Sequence, residues 1–448
     1  MTSNSPLPAT FTSSGPLSGK ISVPGDKSIS HRALIFSSLA IGKSRITGLL
    51  EGEDVLATAV ALRAMGARIE KTGDVWTVHG VGVGGLVQPE HALDMGNSGT
   101  SARLLMGLVA SHDISTTFIG DASLSKRPMG RVIEPLSQMG ADIQARETSD
   151  YKACMPLTVR GICPAVPLEY RLPVASAQVK SAILLAGLNT PGMTRIIEPV
   201  LTRDHSETML KGFGAEISVE TDADDCRIIS LTGEAELKPQ KIKVPGDPSS
   251  AAFMVVAALI VPGSDIVIEN VGINPTRTGL FDILRDMGGD IRFQKKRTVG
   301  GEPVADIHVK HSRLAGIDVP AKIAPSMIDE FPILFIAAAM ASGTTTTRGL
   351  HELRVKESDR LAQMAKGLEL LGVKLTEKED GLLIEGSGGK PLSGGKAKPV
   401  IETALDHRIA MSFAVAGLVT KSGVSIDDIT PTQTSFPGFE NLLAALAS

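Results

Sequence analysis

Two stretches of this chain open on the same four residues and then diverge in chemistry. Val23-Pro24-Gly25-Asp26 leads into Lys27-Ser28-Ile29-Ser30-His31-Arg32, whereas Val244-Pro245-Gly246-Asp247 leads into Pro248-Ser249-Ser250-Ala251. The first copy places cations and hydroxyls at the start of an apolar helical run, where free backbone N–H groups and the positive dipole end favour phosphate or carboxylate. The second keeps the helix start without the cations, and its Ser249 and Ser250 read as ordinary N-caps. Similar polar clusters precede other apolar runs: Asn97-Ser98-Gly99-Thr100-Ser101-Ala102-Arg103, Ser176-Ala177-Gln178-Val179-Lys180, Ile328-Asp329-Glu330 and Asp406-His407-Arg408. Further cations stand before more amphipathic runs, in Lys126-Arg127-Pro128, in Thr202-Arg203-Asp204-His205, and in Arg354 to Arg360, which packs five charges into seven residues. Within this cationic set, Asp329, Glu330 and Glu357 are the carboxylates suited to proton transfer, since nearby cations keep a carboxylate ionised and able to act as a base. His31, His205 and His407 read as caps or buried hydrogen-bond formers, because no metal-ligand spacing accompanies them.

The elements that must carry these residues recur with a fixed period. Leu-x-x-Met-Gly-Ala-like helix endings place glycines at 66, 140, 214 and 288, each 74 residues after the last, and a fifth at 372. A glycine after the last helical turn followed by a strand is a helix-stop signal, and its repetition marks an internal repeat. One further step of 74 from Gly372 falls in the terminal helical run Phe439–Leu446, so six units account for the chain. Each unit reads as strand, buried helix, strand, amphipathic helix and two strands. The buried helices begin near Lys27, Ser98, Ser176, Ser249, Met327 and Asp406 and include Ala33–Ala40, Leu104–Ala110, Ala182–Leu188, Phe253–Ile260, Ile333–Ala341 and Ile409–Val419, apolar nearly all round. If the three in each half run parallel, their N-termini converge on one face. The sixth unit lacks a closing strand, and Leu17–Ser22 is the candidate to supply it. The expected domains are therefore 23–243, and 1–22 with 244–448, with chain crossings near 22 and 243.

Bulk composition narrows the function. With 448 residues, 42% hydrophobic content and a net charge of −4, the chain can bury more than one core, and the charge argues against a broad nucleic-acid face. Three cysteines, Cys154, Cys163 and Cys226, without C-x-x-C spacing argue against a disulfide framework or zinc site. No apolar run reaches bilayer length and no secretory signal is visible, so a cytoplasmic protein without membrane contact is expected. Motifs of P-loop, serine-hydrolase or zincin type are absent, and the run Gly80–Gly85 lacks the following helix that dinucleotide binding needs.

The phrases P-G-D-K-S-I-S-H-R (24–32), G-N-S-G-T-S-A-R (96–103), K-R-P-M-G-R (126–131), S-A-Q-V-K-S-A (176–182), R-D-H (203–205), S-M-I-D-E-F-P (326–332), K-E-S-D-R (356–360) and D-H-R-I-A-M (406–411) together resemble the 5-enolpyruvylshikimate-3-phosphate synthase family, over essentially the whole chain. The resemblance implies an α/β (α+β) fold of two similar domains, each of three βαβαββ units with buried parallel helices (an inverse α/β barrel), and an active site in the interdomain cleft. It implies transfer of the enolpyruvyl group of phosphoenolpyruvate to the 5-hydroxyl of shikimate 3-phosphate, with no metal and no organic cofactor, in a monomer. By the same resemblance Lys27 touches both substrates, Ser28 and Arg32 hold shikimate 3-phosphate, Ser176 and Ala177 contact its phosphate with Arg203 nearby, and Gln178 sits between the substrates. Arg127, Arg360 and Arg408 clamp phosphoenolpyruvate beside Gly99. Asp329 is the base on the 5-hydroxyl, helped by Lys356, and Glu357 serves proton transfer at the methylene carbon.

Two departures concern the inhibitor glyphosate. Many family members carry a lysine just before a T-F-P motif; here the run is Gln433-Thr434-Ser435-Phe436-Pro437, so one phosphate-binding cation is missing. With S-A-Q-V-K-S-A, this pattern resembles the less glyphosate-sensitive subgroup, and Gly99→Ala is expected to raise tolerance further. The rival readings are the related enolpyruvyl transferase of UDP-amino sugars, which normally uses a loop cysteine, and a non-catalytic anion-binding protein, which has no need of Asp329 and Glu357.

Overall fold

The computed structural model of the chain describes residues 6–147, 153–394 and 399–447. The chain divides into two compact units: Gly25–Val244 with Val299–Glu302, here the Lys27 unit, and Met1–Pro24, Pro245–Thr298 and Pro303–Ser448, here the Asp329 unit. Each has its own aliphatic core.

Among the described residues six sheets form, three per unit, and the four-stranded ones follow one pattern. In the Lys27 unit the strand Ser115–Ile119 pairs in parallel with Leu93–Asp94 and antiparallel with Cys154–Arg160, which pairs antiparallel with Asp142–Arg146. The sheet built on Met193–Glu198 repeats this order. Between the first two strands of each comes a buried helix, and between the second and the last two an amphipathic one, which is the βαβαββ repeat. The glycines of the 74-residue period lie just past the amphipathic helices, with positive φ between 78° and 105°, where a side chain would be strained.

The buried helices are apolar because they have no solvent face. Every residue of Pro248–Ile260 and of Phe331–Met340 is buried. With His407–Gly417 they form the centre of the Asp329 unit, and each buried Leu, Ile or Phe there stabilises the fold by about 1.5–3 kcal/mol. The Lys27 unit packs Gly99–Ala110 against Ala177–Leu188 and touches it with Lys27–Leu39. Short polar caps stop the apolar runs from extending backwards: the Asp26 carboxylate accepts from Ile29 N at 2.9 Å, and Ser98, Ser176, Asp247 and Asp406 cap their helices likewise.

Three expectations are corrected. Ser18–Ser22 does not close the sixth sheet; it pairs in parallel with Asp265–Glu269 of the fourth. Ala9–Phe11 completes the sixth instead, antiparallel to Val424–Ile426. Reciprocally, Lys241–Lys243 pairs with Arg45–Thr47 of the first sheet. Each strand before a V-P-G-D motif thus belongs to one unit while the helix after it belongs to the other. The fifth buried helix starts at Phe331, not near Met327, because the chain turns at Ile328–Glu330 and Pro332 occupies the first helical turn, where a missing N–H costs nothing. Asp247, not Ser249, caps the fourth buried helix, its carboxylate accepting from Ser249 N at 2.8 Å.

Candidate active site

In the Lys27 unit the N-termini of the three buried helices meet. Lys27 Nζ lies 3.1 Å from Asp54 Oδ2, and the Asp54 carbonyl accepts from Ser101 Oγ at 3.1 Å, joining the first helix start to the second. Gln178 bridges the second and third, donating to Thr100 Oγ1 and accepting from Arg103 Nη1, both at 3.0 Å. Arg127 is held against the turn before Gly99: its Nη2 donates to Asn97 Oδ1 at 2.5 Å and its Nη1 to the Asn97 carbonyl at 3.3 Å. A Cβ on Gly99 would sit 2.7 Å from Arg103 Nη1 and 3.2 Å from Arg127 Nη1, so this glycine leaves room for two guanidinium heads.

Arg32 is buried and points to hydroxyls. It donates through Nε to Ser206 Oγ at 2.7 Å, through Nη2 to Ser181 Oγ at 2.6 Å and through Nη1 to the Ser28 carbonyl at 2.9 Å. Beside it, His31 Nδ1 lies 2.8 Å from Thr58 Oγ1. Burial, then the charges of Lys27 and Arg32, push its imidazole well below its ordinary pKa, so His31 is neutral and buried, as its place in the sequence implied. Arg203 follows Thr202, whose backbone N–H and hydroxyl both donate to Glu198. Glu198 and Glu207 in turn enclose Lys180 Nζ, at 2.9 and 2.8 Å. Lys180 and Glu198 have no solvent exposure, so this ion triad ties the Ala177–Leu188 helix to the turn carrying Arg203 and to the His205–Gly212 helix.

The Asp329 unit gathers the carboxylates around one guanidinium. Arg360 is fully buried; its Nε lies 2.8 Å from Asp406 Oδ2, its Nη2 2.6 Å from Glu357 Oε2 and its Nη1 3.2 Å from Asp329 Oδ1. Burial opposes the charged form, but Asp406, Glu357 and Asp329 outweigh it and raise the pKa above its ordinary value, so the guanidinium is permanently charged. Lys356 Nζ stands 3.8 Å from Asp329 Oδ1. Arg408 Nη1 donates to the Asp329 carbonyl at 3.1 Å and lies 3.6 Å from Glu330 Oε1. Two of the three acidic residues singled out in the sequence, Asp329 and Glu357, are therefore held on adjacent nitrogens of one arginine.

Sequence reasoning missed Arg277. Its Nη2 donates to Asp247 Oδ1 at 3.0 Å and to Ser249 Oγ at 2.9 Å, so the second V-P-G-D copy does have a cation, supplied from outside the motif. The signal was in the period: Arg277 is 74 residues after Arg203 and, like it, precedes an amphipathic helix. The cysteines are all free, Cys154 and Cys226 buried and Cys163 exposed, and Cys154 Sγ points to the Lys126 carbonyl at 3.6 Å. No cluster of His, Cys, Asp and Glu able to hold a metal occurs among the described residues, and none of their helices is singly long and apolar enough to cross a membrane.

Residues 11–443 match the EPSP synthase (3-phosphoshikimate 1-carboxyvinyltransferase) family. The 3-phosphoshikimate 1-carboxyvinyltransferase of Zymomonas mobilis is 68% identical over 435 residues, 97% of this chain and 95% of that protein. That of Novosphingobium aromaticivorans is 65% identical over 437 residues, covering 97% and 98%. Among solved structures, EPSP synthase from Acinetobacter baumannii aligns with a TM-score of 0.84 at 48% identity over 98% of each chain. The enolpyruvyl transferase NikO from Streptomyces tendae, at 18% identity and a TM-score of 0.77 over 99% of this chain and 98% of its own, shares the fold.

Proposed function

The chain belongs to the EPSP synthase family and is an enzyme that transfers the enolpyruvyl group of phosphoenolpyruvate to shikimate 3-phosphate, and on that premise we propose how its residues divide the work. The Lys27 unit binds shikimate 3-phosphate through Lys27, Ser28, Arg32, Ser176, Ala177, Gln178 and Arg203, and offers Arg127, beside Gly99, to phosphoenolpyruvate. The Asp329 unit supplies Arg360 and Arg408 to phosphoenolpyruvate and Asp329 with Lys356 to the 5-hydroxyl. Asp329 removes the hydroxyl proton as the oxygen attacks C2 of phosphoenolpyruvate, and Glu357, with Lys27, delivers a proton to C3. The tetrahedral intermediate then returns a C3 proton to Glu357 and expels phosphate, restoring the double bond.

The observation that carries this reading is the placement of Asp329 and Glu357 on one buried guanidinium. Arg360 fixes the spacing of the two carboxylates, and an incoming anion competes with them for the same nitrogens, so substrate binding frees the base. The test is phosphate release from phosphoenolpyruvate: it requires shikimate 3-phosphate and is lost in Asp329→Ala. Release with a UDP-amino sugar as acceptor, or full activity in Asp329→Ala, overturns it. We further propose a cytoplasmic monomer, with glyphosate inhibition weaker than in the common bacterial type because no lysine stands beside Phe436-Pro437; size-exclusion mass and an inhibition constant check these.

A further inference from the structure

We infer that Glu330 is a positioning residue that sets the head of Arg408 for phosphoenolpyruvate, through a buried relay that begins at Arg277; this rests on Arg408 gripping that substrate. Asp247, Ser249, Arg277, Glu330 and Arg408 are all at most 7% exposed. Their contacts run in one line. Arg277 Nη2 bonds Asp247 Oδ1 and Ser249 Oγ, at 3.0 and 2.9 Å. Because Ser249 Oγ accepts from Arg277, its own proton is free to point onward, and it donates to Glu330 Oε1. That same oxygen faces Arg408 Nη1 at 3.6 Å, while Glu330 Oε2 has no hydrogen-bond partner among the described residues.

The charges alternate along the line, from Asp247 to Arg277 to Glu330 to Arg408. A long arginine side chain gains nothing from an unfixed head in a dry site, and a buried carboxylate beside it supplies direction. That carboxylate alone would repel an arriving anion. Arg277, reaching Glu330 through the Ser249 hydroxyl, offsets the repulsion, so Arg408 is oriented without losing its affinity for anions. Glu330 is also the residue that ends the turn carrying Asp329, and the Asp329 carbonyl accepts from the same Arg408 nitrogen. The relay therefore couples the clamp to the segment bearing the base.

Steady-state kinetics of the full chain test this, with melting temperature recorded for every variant. Glu330→Gln keeps the volume and the Ser249 acceptor but removes the charge; KM for phosphoenolpyruvate should rise about tenfold, with KM for shikimate 3-phosphate changed less than about twofold. Arg408→Lys should raise KM for phosphoenolpyruvate by itself, and adding Glu330→Gln to it should cost less than about threefold more, since the second residue acts through the first. Ser249→Ala cuts the relay without touching either charge and should raise the same KM by about threefold; it supplies the readout if Glu330→Gln does not fold. An unchanged KM in Arg408→Lys contradicts the clamp itself. A raised KM there with none in Glu330→Gln or Ser249→Ala, or full additivity in the double variant, overturns the inference.

Discussion

Arg360 shows how one side chain can organise acid–base chemistry. It has no exposed surface, and three carboxylates share its five N–H donors. Arg360→Lys keeps the charge but cannot hold Asp329, Glu357 and Asp406 in a planar fork, so kcat should fall by at least about tenfold; a variant with unchanged kcat would show that the fork is dispensable. Gly99→Ala acts on geometry alone. Its new Cβ would lie 2.7 Å from Arg103 Nη1, and the guanidinium must yield, loosening its bond to Gln178. We expect KM for phosphoenolpyruvate to rise roughly fivefold, a cost of about 1 kcal/mol, and the glyphosate inhibition constant to rise further; an unchanged inhibition constant would remove the steric argument. His31 makes a prediction about pH. Its pKa is lowered in the folded state, so below about 6.5 the unfolded chain binds the extra proton and stability falls with acidification. His31→Gln removes that contribution. The gap in melting temperature between the native chain and the variant should narrow from about pH 7.5 to about pH 5.5; a gap that widens contradicts the buried neutral imidazole.

At the scale of elements, the sequence was most legible where a local rule demanded a particular residue. The glycines at 66, 140, 214, 288 and 372 stop helices with positive φ, and that requirement exposed the six units. The polar clusters at Ser98, Ser176 and Asp406 marked helix starts in the sequence because caps are set by short-range hydrogen bonds. The pairing partners of short strands were not. Ala9–Phe11 is three residues long and meets Val424–Ile426 across almost the whole chain, so no local pattern announces it. Arg277 and Glu330 likewise acquire meaning only from contacts between different units of the repeat. Removing residues 1–12 should open the sixth sheet: amides of Val424–Ile426 should exchange with solvent much faster while those of Ser115–Ile119 keep their protection. Equal protection loss in both strands would contradict the assignment. The Lys180 triad is a second element-level test. Lys180→Met leaves Glu198 and Glu207 buried without their cation and should destabilise the chain by about 3–5 kcal/mol. Adding Glu198→Gln and Glu207→Gln should recover most of it, as read by denaturant unfolding. A mild single variant would show that water reaches these groups.

At the scale of the molecule, duplication explains why the charges are shared out as they are. Both units bring three helix N-termini together, which suits a pair of substrates that each carry a phosphate and a carboxylate. The Lys27 unit holds mainly cations and hydroxyls; the Asp329 unit adds the carboxylates proposed to move protons. The V-P-G-D copies lie where the chain passes from one unit to the other, and the strand exchange around them ties each unit's first sheet to a distant stretch of chain. The central claim is that Asp329 takes the proton of the attacking hydroxyl, and phosphate release from phosphoenolpyruvate measures it most directly, in the native chain and in Asp329→Asn, with and without shikimate 3-phosphate. The account predicts release only when both substrates are present, and a kcat in the variant lower by about 10²–10⁴-fold with far smaller changes in KM. Release without shikimate 3-phosphate, or a variant turning over at the native rate, would contradict it.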